Sequence, residues 1–459
     1  MKIPFDVAVA ATGAAVFGFE RAPSYLRVVT DTRAIEPGDT FLALRGERFD
    51  GHHFVEEAVA KGAVAVVIED SDVRPPSRTA LVVEDCLRAY MALAGASRDR
   101  FRGRVLGITG SAGKTTTKVF AAQLLARRYG DRVLASPANE NNEIGVSKLL
   151  LAAENDRHDV LVVEMGARHY GDIAALVEVA KPHIGILTNV GDAHLEIMGS
   201  RERLEETKWG LFGGGARAIL NASDAASIRR APALERPPHW FFAGESDANV
   251  PTHHRVTALL GSARLLEIDG SHERGYAIDA RVPGLHNRAN LAAAIAAASE
   301  LDVRHATILA AIPELMLPQG RYERIALPDG VTLIYDAYNA NAAGMMAALD
   351  AFAHERAARR IALLGSMAEL GEQAADLHAQ VGAHAAATNV DLMLVGGQFA
   401  SELAMGAVRA GLSSERIVPY ATNAQAAQWV REHARAGDVV LLKGSRRYRL
   451  EEIVQELKA

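Results

Sequence analysis

The sequence predicts an α/β fold of three domains. These are a small N-terminal α/β domain (1–101), a central P-loop parallel-sheet domain (102–313) and a C-terminal Rossmann-like α/β domain (314–459). Three observations predict it. Short apolar runs alternate with helical stretches, the pattern of parallel strands joined by helical crossovers. A glycine-rich turn at 109–116 joins one such run to a helical stretch. Pro313 to Arg321, with Pro318 and Gly320, interrupts the alternation and reads as a linker.

In chain order, the apolar run Val7 to Phe19 predicts an amphipathic helix opening the first domain. A single basic residue before it, with Asp6 beside it, makes a poor signal peptide. Phe41–Leu44 and Ala63–Ile68 read as strands, with a helix from His53 to Lys61 between them. Val105–Ile108, Val160–Val163 and Ile184–Leu187 are short runs of the kind buried in parallel sheets. Residues 238–284 alternate apolar with polar and carry turn residues, which predicts an antiparallel patch. Alanine-rich Asn290 to Leu301 predicts a helix. Past the linker, Val331–Tyr335, Ile361–Leu364, Leu392–Val395 and Val439–Leu442 alternate with helical stretches, a second parallel unit.

The chain has 459 residues, enough for several domains and a large buried core. With a net charge of −6 and no long basic block, it lacks a broad surface for nucleic acid or membrane. One cysteine, Cys86, excludes an intrachain disulfide and a multi-cysteine zinc site. No stretch approaches a membrane span, and we expect a cytoplasmic protein.

The turn Thr109-Gly110-Ser111-Ala112-Gly113-Lys114-Thr115-Thr116 is where chemistry enters. Glycines let backbone N–H groups face an anion, and a helix N-terminus adds partial positive charge. Lys114 adds a full charge and Thr115 a hydroxyl for Mg2+, so the expected ligand is ATP. The loop is shorter than the usual pattern, because Ile108 stands where its first glycine would be. Ligands of open α/β sheets sit beyond the carboxyl ends of the strands, so Glu164, which ends Val160–Val163, should face the loop. A single carboxylate suits Mg2+, which keeps waters and takes few protein oxygens. His194 follows the next strand and by itself reads as an ordinary loop histidine. Lys208, in Glu205-Glu206-Thr207-Lys208-Trp209, by itself reads as a surface lysine paired with nearby glutamates.

Taken together, the order of these segments resembles the Mur ligase family, over essentially the whole chain. Asp31-Thr32-Arg33 and Asp50-Gly51-His52 resemble its uridine-nucleotide-binding domain, and 109–116 is similar to its short ATP loop. Asn141 and Asn142 lie in a segment similar to one lining the muramyl-peptide site. Glu164 and His194 match the family's magnesium motifs, and Lys208 its carbamylated lysine. Asn290 matches the asparagine that meets adenine, and Arg321 the arginine brought to the phosphates by the third domain. Asp336, Tyr338, Asn341 and Lys443 lie in its remaining motifs.

The resemblance implies an ADP-forming ligase of peptidoglycan synthesis that adds D-alanyl-D-alanine to a UDP-muramyl tripeptide. Two magnesium ions on Thr115, Glu164, His194 and carbamylated Lys208 are implied, as is a monomer with a hinge near Pro318–Gly320. Lys114, Lys208, His194 and Glu164 are the implied catalytic groups. Gly210, Tyr335, Ala342, Ser147 and Ser366 depart from the family's pattern. Gly210, Tyr335 and Ser366 keep open a divergent ligase with another acid or amine. A P-loop switch would need neither Lys208 nor the first domain, and a silent binding protein would not need the phosphate and metal residues.

Overall fold

A computed structural model describes residues 1–46, 49–75, 77–191, 195–245 and 255–458. Among these, a five-stranded sheet near the N-terminus runs Ala15–Phe17, Thr79–Val82, Ala65–Ile68, Thr40–Leu42, Val28–Val29. Only its first pair is antiparallel. A nine-stranded central sheet runs Val133–Ala135, Val160–Glu164, Arg104–Thr109, Ile184–Leu187, Arg217–Asn221, His239–Gly244, Arg255–Leu260, Arg264–Asp269, His272–Ala277. A six-stranded sheet beyond the linker runs Glu323–Ala326, Thr332–Tyr335, Val439–Lys443, Arg360–Gly365, Leu392–Gly396, Ile417–Tyr420.

Several boundaries differ from expectation. The first helix covers only Phe5–Thr12, because Gly13 takes a left-handed conformation that closes it, and Ala15–Phe17 then pairs as a strand. The stretch from 238 is not antiparallel throughout. His239–Gly244 pairs in parallel with both neighbours, and antiparallel pairing begins only between Arg255–Leu260 and Arg264–Asp269. Alternation reports which face is buried, not strand direction. The alanine-rich helix starts early, spanning Leu285–Glu300. Its alanines 292–294 and 296–298 are all fully buried, and such small side chains let the helix lie close to both the sheet and the helix Lys114–Tyr129.

The first and central units share packing. The helix Cys86–Arg100 buries Tyr90, Leu93 and Ala94 in one core with Leu149, Leu150, Ile173 and Leu176 of the central unit. Buried Arg98 locks this contact: its guanidinium donates to the carbonyls of Ala180 at 2.8 Å, Lys181 at 2.9 Å and Phe101 at 3.3 Å. On the other side, the Gln123 amide accepts from Met316 N at 3.0 Å and donates to its carbonyl at 2.8 Å, so the linker is bound to the helix Lys114–Tyr129. Among the described residues no helix is long and apolar enough to cross a membrane.

Removing Arg98 leaves buried carbonyls without donors, which costs about 1–3 kcal/mol for each group fully stranded. Arg98→Ala is expected to lower unfolding stability by about 2–4 kcal/mol in denaturant titration. A change below about 0.5 kcal/mol would show that the helix docks without it.

Candidate active site

The strand Arg104–Thr109 lies between Ile184–Leu187 and Val160–Glu164, so three strand ends meet at one place. The turn 109–113 leaves the first of them. Gly110 and Gly113 take φ of +147° and +84°. A Cβ on Gly110 would stand 1.9 Å from Thr188 Oγ1, and one on Gly113 2.2 Å from Asn290 Oδ1. The turn is therefore clasped on both sides. Asn189 accepts from Ser111 N at 3.0 Å and, through its side chain, from Ala112 N at 3.1 Å. Thr188 Oγ1 donates to the Ala112 carbonyl at 2.6 Å, and Thr109 Oγ1 to that of Met165 at 2.8 Å. Thr116 is buried at the start of the following helix. Lys114 Nζ donates to the Gly110 carbonyl at 2.7 Å, across the mouth of the loop.

Glu164 ends its strand as expected and is 1% exposed. Thr115 Oγ1 donates to its Oε1 at 3.1 Å, and Asn141 Nδ2 to the same oxygen at 2.9 Å. Its Oε2 lies 2.9 Å from Lys118 Nζ, an ion pair whose angle falls outside hydrogen-bond geometry. A buried carboxylate beside a threonine hydroxyl is a hard-oxygen set suited to Mg2+. Among the described residues no group of three or more His, Cys, Asp or Glu gathers as a metal cage. A cation that takes most of its shell from phosphates and water needs none.

Lys208 is not the surface lysine its neighbours suggested. It is 1% exposed on the helix Arg201–Trp209. The neighbouring Glu205 is engaged elsewhere, by Arg229 at 2.6 Å. Burial pushes the Lys208 ammonium down to about 7, and the positive charge of Lys114 adds to the effect. Burial also lowers Lys114, with Arg321 adding to the effect and Glu164 opposing it. His194 lies outside the described residues.

Arg321 follows Gly320, whose φ is +70°. Its guanidinium lies 4.6 Å over the Tyr338 ring, with Nε buried and unpartnered. Asp336 does not face the loop alone. It pairs with buried Lys443 at 3.0 Å and accepts from Tyr322 N at 3.2 Å, which fixes the turn that carries Arg321. Lys443 also donates to the Asn339 carbonyl at 3.1 Å. Asn290 abuts Gly113 and accepts from Thr117 Oγ1 at 3.3 Å. His286 on the same helix is pushed down to about 4 by burial, and Asp336 opposes this. Across the two units, Arg321 acts electrostatically on Lys114, and Asp336 and Lys443 on His286, so the third sheet's loops lie near the phosphate turn.

Other expected site residues are engaged locally. Asn142 and Asn341 cap the helices Glu143–Ala152 and Ala342–Ala353. Asp31 caps the turn at Thr32–Ala34 and pairs with exposed Arg33, which holds its carboxyl down at about 2. Thr32 Oγ1 donates to Glu57 at 3.0 Å. His52 Nε2 accepts from Glu69 N at 2.9 Å, so Nδ1 carries the proton and donates to Asp50 at 2.6 Å. A Cβ on Gly51 would strike the Leu44 carbonyl at 2.6 Å. Sequence reasoning missed Lys118, Thr188 and Asn189. The polar pair directly after the strand Ile184–Leu187 was the available signal for the last two.

Three family models match the chain: Mur ligase family, catalytic domain, over 25–91; Mur ligase middle domain, over 108–298; and Mur ligase, glutamate ligase domain, over 320–446. The UDP-N-acetylmuramoyl-tripeptide–D-alanyl-D-alanine ligase of Synechocystis is 35% identical over 94% of this chain and 92% of its own length. The ligase of that name from Escherichia coli is 33% identical over 94% and 93%. Among solved structures, MurF from Acinetobacter baumannii superposes with a TM-score of 0.86, at 26% identity over 100% of this chain and 99% of its own. MurF from Thermotoga maritima in complex with ADP gives 0.79, at 27% identity over 94% and 97%. The chain belongs to the Mur ligase family.

Gly113→Ala places a methyl against Asn290 at a positive φ. It is expected to weaken ADP binding by at least about tenfold in calorimetry. Binding of wild-type strength would show that the turn can reshape freely.

Proposed function

We propose that this chain is an ATP-dependent ligase that joins D-alanyl-D-alanine to UDP-N-acetylmuramoyl-tripeptide through an acyl phosphate, in peptidoglycan precursor synthesis. One observation carries the reading: Lys114 of the phosphate turn lies within electrostatic reach of both Arg321 and Lys208, with Glu164 as the counter-charge acting on Lys114 and Asp172 on Lys208. Such an excess of positive charge fits a polyanion met by a second anion.

The reaction brings a substrate carboxylate to the γ-phosphate of ATP. Two unit charges about 4 Å apart repel by roughly 4 kcal/mol at an effective dielectric of 20. Lys114 and Arg321 offset this and take up charge on the transferring group. Mg2+ bound at Thr115 and Glu164 would add charge neutralisation there. With burial holding Lys208 down at about 7, a large share of it is the free amine near neutral pH, the form that reacts with carbon dioxide. The N–C bond forms, the amine loses a proton, and the resulting carbamate offers oxygens where an ammonium would repel a cation. His194 is proposed as a further ligand on the resemblance. The acyl phosphate is then captured by the amine, with release of phosphate, while closure of the third unit keeps water out.

The division 1–101, 102–313 and 314–459 follows this use: acceptor nucleotide, ATP, then incoming amine. Thr32, Arg33, Asp50, Gly51, His52, Asn141 and Asn142 are proposed to shape the acceptor site. Tyr338, Asn341 and Lys443 shape the amine side, with a hinge at Pro318–Gly320. A cytoplasmic monomer fits soluble substrates of this kind.

Phosphate release should require ATP, UDP-muramyl tripeptide and D-alanyl-D-alanine together, with the ligated product seen by mass spectrometry. Equal ATP consumption with neither acid nor amine present would overturn the proposal. Lys208→Ala is expected to lose at least about a hundredfold in kcat, partly restored by short carboxylic acids. Full activity without them would remove the carbamate from the scheme.

A further inference from the structure

Lys118 belongs to no motif read from the sequence, yet it is as buried as the groups around it, at 3% exposure. It lies three residues after Thr115, so both project from the same face of the helix toward Glu164. The Glu164 oxygens are used unequally. Oε1 takes the hydroxyl of Thr115 and the amide of Asn141, both neutral donors that a cation can displace or share. Oε2 faces the Lys118 ammonium at 2.9 Å. The same ammonium donates to the carbonyl of Ala138, a residue held at φ +42°. A left-handed alanine is strained, and such strain persists only where neighbours fix it. Ser136 Oγ accepts from Glu164 N at 3.0 Å, and Asn141 O accepts from Gly166 N at 2.7 Å. The segment 136–141 is thus stapled to the end of the Glu164 strand, with Lys118 as the charged staple.

We propose that Lys118 is a positioning residue that reserves one carboxylate oxygen of Glu164 and so holds the site to a cation that takes the other oxygen alone. This deepens the reading above and rests on Glu164 as a metal carboxylate. Mg2+ is small, demands near-octahedral geometry and binds through few carboxylates, whereas Ca2+ accepts a carboxylate through both oxygens. With Oε2 occupied by an ammonium, Ca2+ gains its second oxygen only by displacing Lys118, and with it the tie to Ala138. Lys118 therefore favours Mg2+ over Ca2+ and couples the cation to the 136–141 segment.

The test is calorimetric binding of ADP to wild type, Lys118→Met and Glu164→Gln, each without metal, with Mg2+ and with Ca2+. The ratio of ADP affinity in Mg2+ to that in Ca2+ is expected to fall at least about fivefold in Lys118→Met. An unchanged ratio overturns the proposal. Glu164→Gln separates the two readings. If it keeps the full metal-dependent gain, Glu164 is not a metal group. If it loses that gain while Lys118→Met keeps its ratio, only the role of Lys118 fails. Should Lys118→Met not fold, hydrogen exchange on wild type decides. Amides of 136–142 are expected to exchange at least about threefold more slowly with Mg2+ and ADP than with Ca2+ and ADP. Equal exchange overturns the proposal.

Discussion

A single almost wholly buried carboxylate, that of Glu164, is the constraint on which the site depends. Isolating such a charge from water costs several kcal/mol unless donors and counter-charges surround it. Here they come from separate stretches of chain: Thr115 and Lys118 from the helix after the phosphate turn, Asn141 from the segment beside the first unit. The arrangement of each is therefore a condition on the others. The strand order makes this possible, because the turn and Glu164 leave adjacent parallel strands at the same end.

The cations obey the complementary logic. Lys114 and Lys208 come from the central unit and Arg321 and Lys443 from the third, and among the described residues Lys443 has a close carboxylate partner, Asp336. That pair is structural, since Asp336 also holds the backbone of Tyr322 next to Arg321. The remaining positive charge favours a polyanion at the turn, as nucleotide phosphates are. In the proposed scheme binding would draw the third unit toward the turn through charge, while Gln123 ties the linker to the helix Lys114–Tyr129.

What the sequence made legible was chemistry that is local in the chain. A strand, glycines, Lys-Thr and a helix start specify a phosphate turn within eight residues, and a carboxylate at a strand end follows from topology. What it hid was chemistry made by distant partners. Lys208 looked exposed because its helix is rich in charge, but Glu205 there is claimed by arginines from the helix Ala225–Arg230, leaving Lys208 turned inward. Lys118 looked like any helix lysine until the segment 136–141 folded over it. Asn142 and Asn341, proposed to shape the substrate sites, each sit just before a helical run and cap it, a second role that their position in the sequence also signals. Strand direction in 239–260 was hidden because apolar alternation is the same for either direction.

The departures from the family pattern fall unevenly, and their physical roles say why. Ser366 donates to the Gly396 carbonyl at 3.1 Å and accepts from Phe399 N at 2.9 Å, joining the ends of two neighbouring strands. An ionised aspartate accepts only, and could make just one of these bonds. Tyr335 puts its ring against Gly320, where a Cβ would lie 3.2 Å away, and its hydroxyl toward Glu451 at 3.4 Å. Gly210 leaves no side chain beside Ala174, whose nitrogen a Cβ would approach to 3.3 Å. Each change re-fits scaffold next to the site, while Lys114, Thr115 and Glu164 keep their arrangement at the turn. The phosphate half of the site is fixed by the charge balance around one carboxylate. The third unit has its own charge pair in Asp336 and Lys443, but around Ser366 it is held by packing and neutral hydrogen bonds, which tolerate substitution. On the proposed assignment of the amine to the third unit, differences in the amine that this chain prefers would arise around Tyr335 and Ser366 without disturbing the phosphate turn.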